Sequence, residues 1–210
     1  MGDIETLATT NDAVILSIGG ILFNAFTDDP LKNEETGEIL CPHFYTAIHI
    51  PTQKGRRINP DTEKWWNSPS RKEAKAQIYD DPNKMHLVDA LDGLWDFMKK
   101  GPNGETVKKG WGCAPSFDQA ILGHAMRTTG IKDIKGGKFD LPIAFWDEMD
   151  VRTVEQFVIG EKYRSANRTG TYHHALDDCI TQAKMVRVAG KVVRAGIDAL
   201  GGVSAVLNMG

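Results

Sequence analysis

Residues 13 to 23, Ala13-Val14-Ile15-Leu16-Ser17-Ile18-Gly19-Gly20-Ile21-Leu22-Phe23, form an apolar run rich in β-formers with a glycine pair inside it. Such a run reads as a buried strand, with a bulge or a close backbone approach at Gly19-Gly20. On its C-terminal side, residues 28 to 38 are polar and turn-rich, closing with Glu35-Thr36-Gly37-Glu38. Residues 39 to 50 again read as a strand, so a hairpin with a long loop is predicted. On its N-terminal side, Asp3-Ile4-Glu5-Thr6 reads as a further strand. Asp3 and Glu5 then share one face, with Ile4 buried behind them.

Further along, the apolar period lengthens to that of helices. Asn59-Pro60-Asp61-Thr62 is a helix-start signal before Trp65-Trp66, and Ser68-Pro69-Ser70 opens a second helix through Tyr79. Leu87, Leu91, Leu94 and Trp95 recur at helical spacing and predict a third helix over 84–99, ended by Gly101-Pro102-Asn103-Gly104. Val107 to Trp111 is expected as a short strand, Pro115 to Thr129 as a helix ending near Gly130, and Pro142 to Trp146 as another short strand. The last long helix is expected over 173–195. Three strands, then helices, then strand, helix, strand, helix describe an α/β or α+β domain, a mixed sheet covered by helices. Residues 1–200 are expected as a single domain and 201–210 as a flexible, frayed tail.

The chain has 210 residues, 41% of them hydrophobic, with 25 basic and 28 acidic residues and a net charge of −3. That balance disfavours a protein that grips duplex nucleic acid statically, which carries a basic excess. It leaves room for a carboxylate cluster that presents a cation to phosphate. Cys41, Cys113 and Cys179 are far apart and lack C-x-x-C spacing, so they are expected as reduced thiols. No apolar run is long enough to span a membrane. The acidic Met1-Gly2-Asp3-Ile4-Glu5 is unlike a signal peptide, so a cytoplasmic location is expected.

Three segments carry candidate chemistry. Asp3 and Glu5 sit together on a strand. Asp118 enters a helix after the turn at Gly112-Cys113-Ala114-Pro115. His173-His174 precede a helix whose first turns hold Asp177 and Asp178, which point about 100° apart, so one joins a given cluster and the other faces the helix N-terminus or solvent. Each segment alone has a bland reading: a solvated edge, a helix-dipole partner, a cap.

Taken in order, D-x-E, F-D and H-x-A-L-x-D resemble the DEDDh branch of the DnaQ-like 3′→5′ exonucleases through Asp3, Glu5, Asp118, His173 and Asp178; His173, not His174, stands at the family's five-residue step. Asp61-Thr62 with Trp65-Trp66, and Asp150-Val151-Arg152-Thr153, look like the phage exonuclease A and bacterial Rv2179c-like exoribonuclease group, whose phage members are also labelled exonuclease VIII. The resemblance runs from residue 3 to about 195. It implies an RNase H-like fold with a central mixed five-stranded sheet, three antiparallel strands plus parallel strands, flanked by helices. It implies two Mg²⁺ or Mn²⁺ ions on Asp3, Glu5, Asp118 and Asp178, His173 as general base, and 5′-mononucleotides released from the 3′ end of single-stranded or 3′-overhang DNA or RNA. A homodimer is compatible with it, and a phage-encoded member would act in the host-cell cytoplasm. Only Met1 and Gly2 precede Asp3, where members have several apolar residues; the expectation is an upstream start, or a short strand with Asp3 loosely held.

Thr6 and Leu7 are carried over as contacts to the last sugar and base. Trp66 is a candidate for stacking on a base, or a core residue; Phe117 is expected in the core. Lys162, Arg164 and Arg168 precede His173 in a loop that could guide the strand. Lys54-Gly55-Arg56-Arg57 reads as a solvated basic turn and Asp150 as a cap and ion-pair partner near a helix start. His43, His49, His86 and His124 need no functional reading. Two alternatives share the fold: a catalytically weak nucleic-acid-binding module, and an endonuclease resembling RNase H.

Overall fold

The structure is a computed structural model, and it describes residues 1–99, 107–129, 141–160 and 168–207. The apolar run forms β2 (Ile15–Ile21), buried along its whole length between β1 (Gly2–Thr6) and β3 (His43–Ala47) in an antiparallel sheet of order β1-β2-β3. Burial on both faces explains why β2 lacks the alternation of a half-exposed strand.

Asp3 pairs with Gly19, Ile4 with Ile18 and Glu5 with Ser17, and the register shifts between Glu5 and Thr6. The bulge therefore lies in β1, just past the two acids, rather than at the glycine pair. Gly19 serves a close approach instead. A Cβ there would lie 2.5 Å from the Ala175 carbonyl carbon and 2.7 Å from the Leu176 nitrogen. Only glycine lets the start of the last helix lie against β2 at this point.

β4 (Gly110–Gly112) and β5 (Glu148–Asp150) form a parallel pair, and β4 packs beside β1. Among the described residues no ladder joins β4 to β1, so the strands appear as a three-stranded sheet and a two-stranded pair. The strand expected over 142–146 lies instead at Glu148–Asp150. A 3-10 turn, Phe145–Asp147, precedes it, and the exposed Phe145 and Trp146 stack edge to face.

The helices are α1 (Pro60–Trp66), α2 (Lys72–Tyr79), α3 (Leu87–Lys99), α4 (Pro115–Thr128), α5 (Val151–Val154), which continues as a π turn over Glu155–Ile159, α6 (Ala175–Ala199) and α7 (Val203–Leu207). Asn59 caps α1 as its sequence signals, accepting from the Asp61 N–H at 2.8 Å with Pro60 in the first turn. α6 starts at Ala175 because His173 has φ +64°, outside the helical region. α7 occupies part of the stretch expected as frayed. The helix expected to end near Gly130 ends at Thr128, with Thr129 already extended, and the helix stop at 101–104 lies outside the described residues.

One sheet face carries Ile4 and Ile18 against Leu91 and Leu94 of α3 and Ile121, Leu122 and Met126 of α4. The other buries Met1 and Ile21 under Cys179, Ile180 and Ala183 of α6. A third cluster joins Leu7, Leu16, Ala47, Trp66 and Ile78. Cys41, Cys113 and Cys179 form no disulfide. No described helix is long and apolar enough to cross a membrane. Met1 is tied in, its amino group donating to the Ile21 carbonyl at 3.0 Å, so Asp3 sits on an anchored strand and not on a loose one.

Gly19→Ala should destabilise by about 2–3 kcal/mol because backbone, not a movable side chain, blocks its Cβ. Gly196→Ala in α6, with nothing near its Cβ, should be neutral or stabilise by up to about 1 kcal/mol. Urea unfolding of the two variants checks the contrast, and equal effects would contradict the packing described.

Candidate active site

β1 offers Asp3 and Glu5 from one face, the first turn of α4 offers Asp118, and the first turn of α6 offers Asp178 with Gln182 one turn further on. Because Gly19 sits directly across from Asp3, the helix pressed onto Gly19 hangs Asp178 and Gln182 over the acidic strand. Gln182 Nε2 donates to Asp3 Oδ1 at 2.9 Å, and the Ile4 N–H donates to Asp118 Oδ1 at 3.4 Å. The four carboxylate residues are only 4–9% exposed. Together with His173 they line one open cleft of about 570 Å³.

Burial raises the Asp3 pKa well above the ordinary range, and the charges of Asp118, Glu5 and Asp178 raise it further, against the Gln182 hydrogen bond. Burial and then Asp178 do the same to Glu5, opposed by Arg168. Asp118 is pushed up to about 8, chiefly by burial, with the Ile4 N–H opposing. Acids that resist ionisation together accept a cation readily, since it removes both their repulsion and part of their desolvation penalty. The donor set fits hard divalent ions: it is mostly carboxylate oxygen. Ligand atoms of Glu5, His173 and Asp178 lie within 4.8 Å of one another. His173 Nε2 and Gln182 Oε1 are buried without a hydrogen-bond partner, and both are free to face such a guest.

The histidine pair divides. The His173 Nδ1 lies 3.6 Å from Glu5 Oε1, with its ring edge-on to Trp65 at 4.7 Å and 3.9 Å from Tyr172, centroid to centroid. Burial lowers its pKa to about 4, against the pull of Asp178, so the imidazole is neutral near pH 7. His174 turns away, stacked on Tyr45 at 4.4 Å. Asp177 also faces away, accepting from the Thr171 N–H at 2.9 Å and pairing with Lys32 at 3.3 Å. Among the described residues only Ala114 (φ +80°) and His173 (φ +64°) are non-glycines in the left-handed region. They flank the helix starts that carry Asp118 and Asp178, and strain of this kind gathers at functional sites.

Of the expected substrate contacts, Thr6 lines the cleft while its hydroxyl donates to the Ala8 carbonyl at 2.7 Å. Leu7 lies in the core, its N–H given to the Val14 carbonyl at 2.9 Å. Trp66 lines the cleft but is 2% exposed, packs in the third apolar cluster, and its Nε1 donates to the Thr6 carbonyl at 2.9 Å. Trp65, 38% exposed with the Arg71 guanidinium 4.2 Å from its ring centre, is the tryptophan that offers a face to a guest. Phe117 packs against the core with part of its surface in the cleft. Asp150 caps α5 and also accepts from the Ala114 N–H at 3.2 Å, tying β5 to the turn before Asp118. Of the basic loop, Lys162 and Arg164 lie outside the described residues, while Arg168 reaches Asp178.

Sequence reading missed Gln182, Trp65, Tyr172 and Arg152 as cleft residues. Gln182 was within reach: it stands four residues after Asp178 on the same helix face. The others depend on how loops and turns close over the cleft.

Acidic side chains from three separated segments meeting in an open cleft of an α/β domain mark the class as a hydrolytic nuclease fold. The chain belongs to the family described as the 3′-5′ exoribonuclease Rv2179c-like domain, which matches residues 1–189 and so includes every residue of the cluster. No curated protein matches the chain.

A carboxyl whose pKa is raised by folding is deprotonated more readily in the unfolded chain, so stability falls as pH climbs from the unfolded pKa near 4 to the folded one. For Asp118 that window ends at about 8. In EDTA, the thermal midpoint should therefore fall between about pH 5 and about pH 8.5, and Asp118→Asn should flatten the fall. Thermal scans across that range check it; a rising midpoint would contradict the electrostatics.

Proposed function

We propose that the chain is a divalent-metal-dependent 3′→5′ exonuclease of the DEDDh type that releases 5′-mononucleotides from single-stranded or overhanging 3′ ends of RNA or DNA, RNA being the substrate that the family description names. The observation that carries this reading is the convergence of Asp3, Glu5, Asp118 and Asp178 on one cleft in a chain of an exoribonuclease family. In this reading β4 and β5 continue the sheet past β1 into an RNase H-like arrangement, and the protein works in the cytoplasm.

The four carboxylates would hold two Mg²⁺ or Mn²⁺ ions. When bound, such ions activate water and stabilise the charge on the phosphate and leaving oxygen. Gln182 fixes one oxygen of Asp3, so the other is free for a ligand role. His173 lines the cleft with Nε2 unpartnered, and the charge of Asp178 works against the loss of basicity that burial causes, so it is the group placed to take a proton from the attacking water. Trp65 and Tyr172, packed around its ring, restrict the imidazole's rotation. The exposed part of Trp65 offers a stacking face for a terminal base.

Time courses on RNA labelled at either end, with Mg²⁺ and with EDTA, test the reading. Mononucleotides should leave from the 3′ end only when metal is present. Asp178→Ala should abolish turnover and metal binding. His173→Ala should lower kcat about 10²–10⁴-fold yet keep the metal-induced rise in melting temperature. His174→Ala should retain most activity. Internal fragments would indicate an endonuclease, and undiminished turnover in EDTA would remove the metal from the mechanism.

A further inference from the structure

Among the described residues, Arg168 is a cleft cation that touches the acidic cluster directly. Its Nη2 donates to Asp178 Oδ1, and both side chains are largely buried. Its guanidinium carbon lies 3.8 Å from the centre of the Tyr172 ring. Its charge also bears on Glu5 and His173.

Two details separate this contact from an ordinary structural ion pair. First, the pair lines the cleft, and Asp178 belongs with Glu5 and His173 to the group whose ligand atoms lie within 4.8 Å of one another. A guanidinium on that carboxylate occupies a place that a divalent cation bound to the same group would need. Second, the Arg168 Nε is buried without an acceptor, so the donor fork is only partly used. A permanent pair would be expected to satisfy a buried donor.

Resting on the nuclease reading above, we propose that Arg168 is the cluster's resident counter-ion, giving up Asp178 when a divalent cation binds and then taking a phosphate of the incoming strand. An arginine cannot leave by losing its proton, so it yields only by moving. The exposed Tyr172 ring gives it a face to slide along while it stays near the cleft. The planar fork then matches a phosphate bidentately, which a lysine could not do in the same way. One side chain thereby offsets the charge of Glu5 and Asp178 before metal arrives and adds a phosphate contact afterwards.

The test is calorimetric titration of Mg²⁺ and Mn²⁺ into the protein without nucleic acid, followed by binding of a phosphorothioate RNA strand with metal present. If Arg168 holds Asp178 most of the time, Arg168→Met should bind metal about tenfold more tightly than the wild type. The same variant should bind the RNA strand about tenfold more weakly, because the bidentate phosphate contact is lost. Arg71→Met removes an equal charge from beside Trp65, where the guanidinium pairs with no carboxylate among the described residues, and should change metal affinity by less than about twofold. Arg168→Gln serves for the same two readings if the methionine variant fails to fold. Metal affinity unchanged or weaker in the folded Arg168 variant overturns the role, as does an equal gain in Arg71→Met. A wild-type chain that binds no divalent ion would instead overturn the proposed function itself.

Discussion

The contact between Gly19 and the start of α6 governs the positions of the other groups. Gly19 faces Asp3 across the β1-β2 ladder, and the Ala175 backbone fills the place of its missing side chain. Any larger residue would lift α6 from the sheet and carry Asp178 and Gln182 away from β1. The same helix buries Cys179, Ile180 and Ala183 against Met1 and Ile21, so the force that holds the acids together is burial of apolar surface a turn further along. Hydrophobic packing here works against electrostatics: it presses together groups that would separate in water.

That opposition explains the site's properties. Burial raises the carboxyl pKa values and keeps His173 neutral against the pull of Asp178, while the excess of negative charge draws an arginine onto Asp178. Left-handed backbone at Ala114 and His173 is a further local strain, imposed where chain turns must deliver Asp118 and Asp178. A domain of this size tolerates such strain because its hydrophobic clusters lie on both faces of the sheet, with Ile4 and Cys179 of those clusters directly beside the acids.

How much of this was legible in the sequence depends on the range of the interaction. The buried strand, the shared face of Asp3 and Glu5, the Asn59 cap and the amphipathic α3 follow from local periodicity and capping chemistry, and each was read in place. The glycine pair was flagged, but its partner helix lies far along the chain, so a bulge and a close approach could not be told apart. The strand expected at 142–146 failed because Phe145 and Trp146 are apolar yet exposed, and composition does not reveal burial. Trp65 and Trp66 are likewise indistinguishable as letters; both line the cleft, and the turn of α1 decides that one is buried and the other exposed.

The segment Tyr172 to Asp178 shows how spacing can stand in for geometry. Adjacent residues on a helix diverge by about 100°, so Asp177 and Asp178 must take different neighbourhoods. The left-handed conformation at His173 reverses the chain just before α6 and sends the two imidazoles to opposite sides as well. The outer pair of the motif, His173 and Asp178, then meets at Glu5, and the inner pair, His174 and Asp177, meets beside Tyr45 and Lys32. A five-residue step thus puts histidine and aspartate inside the cleft, whereas the three-residue step between the inner pair fastens the turn that holds them there.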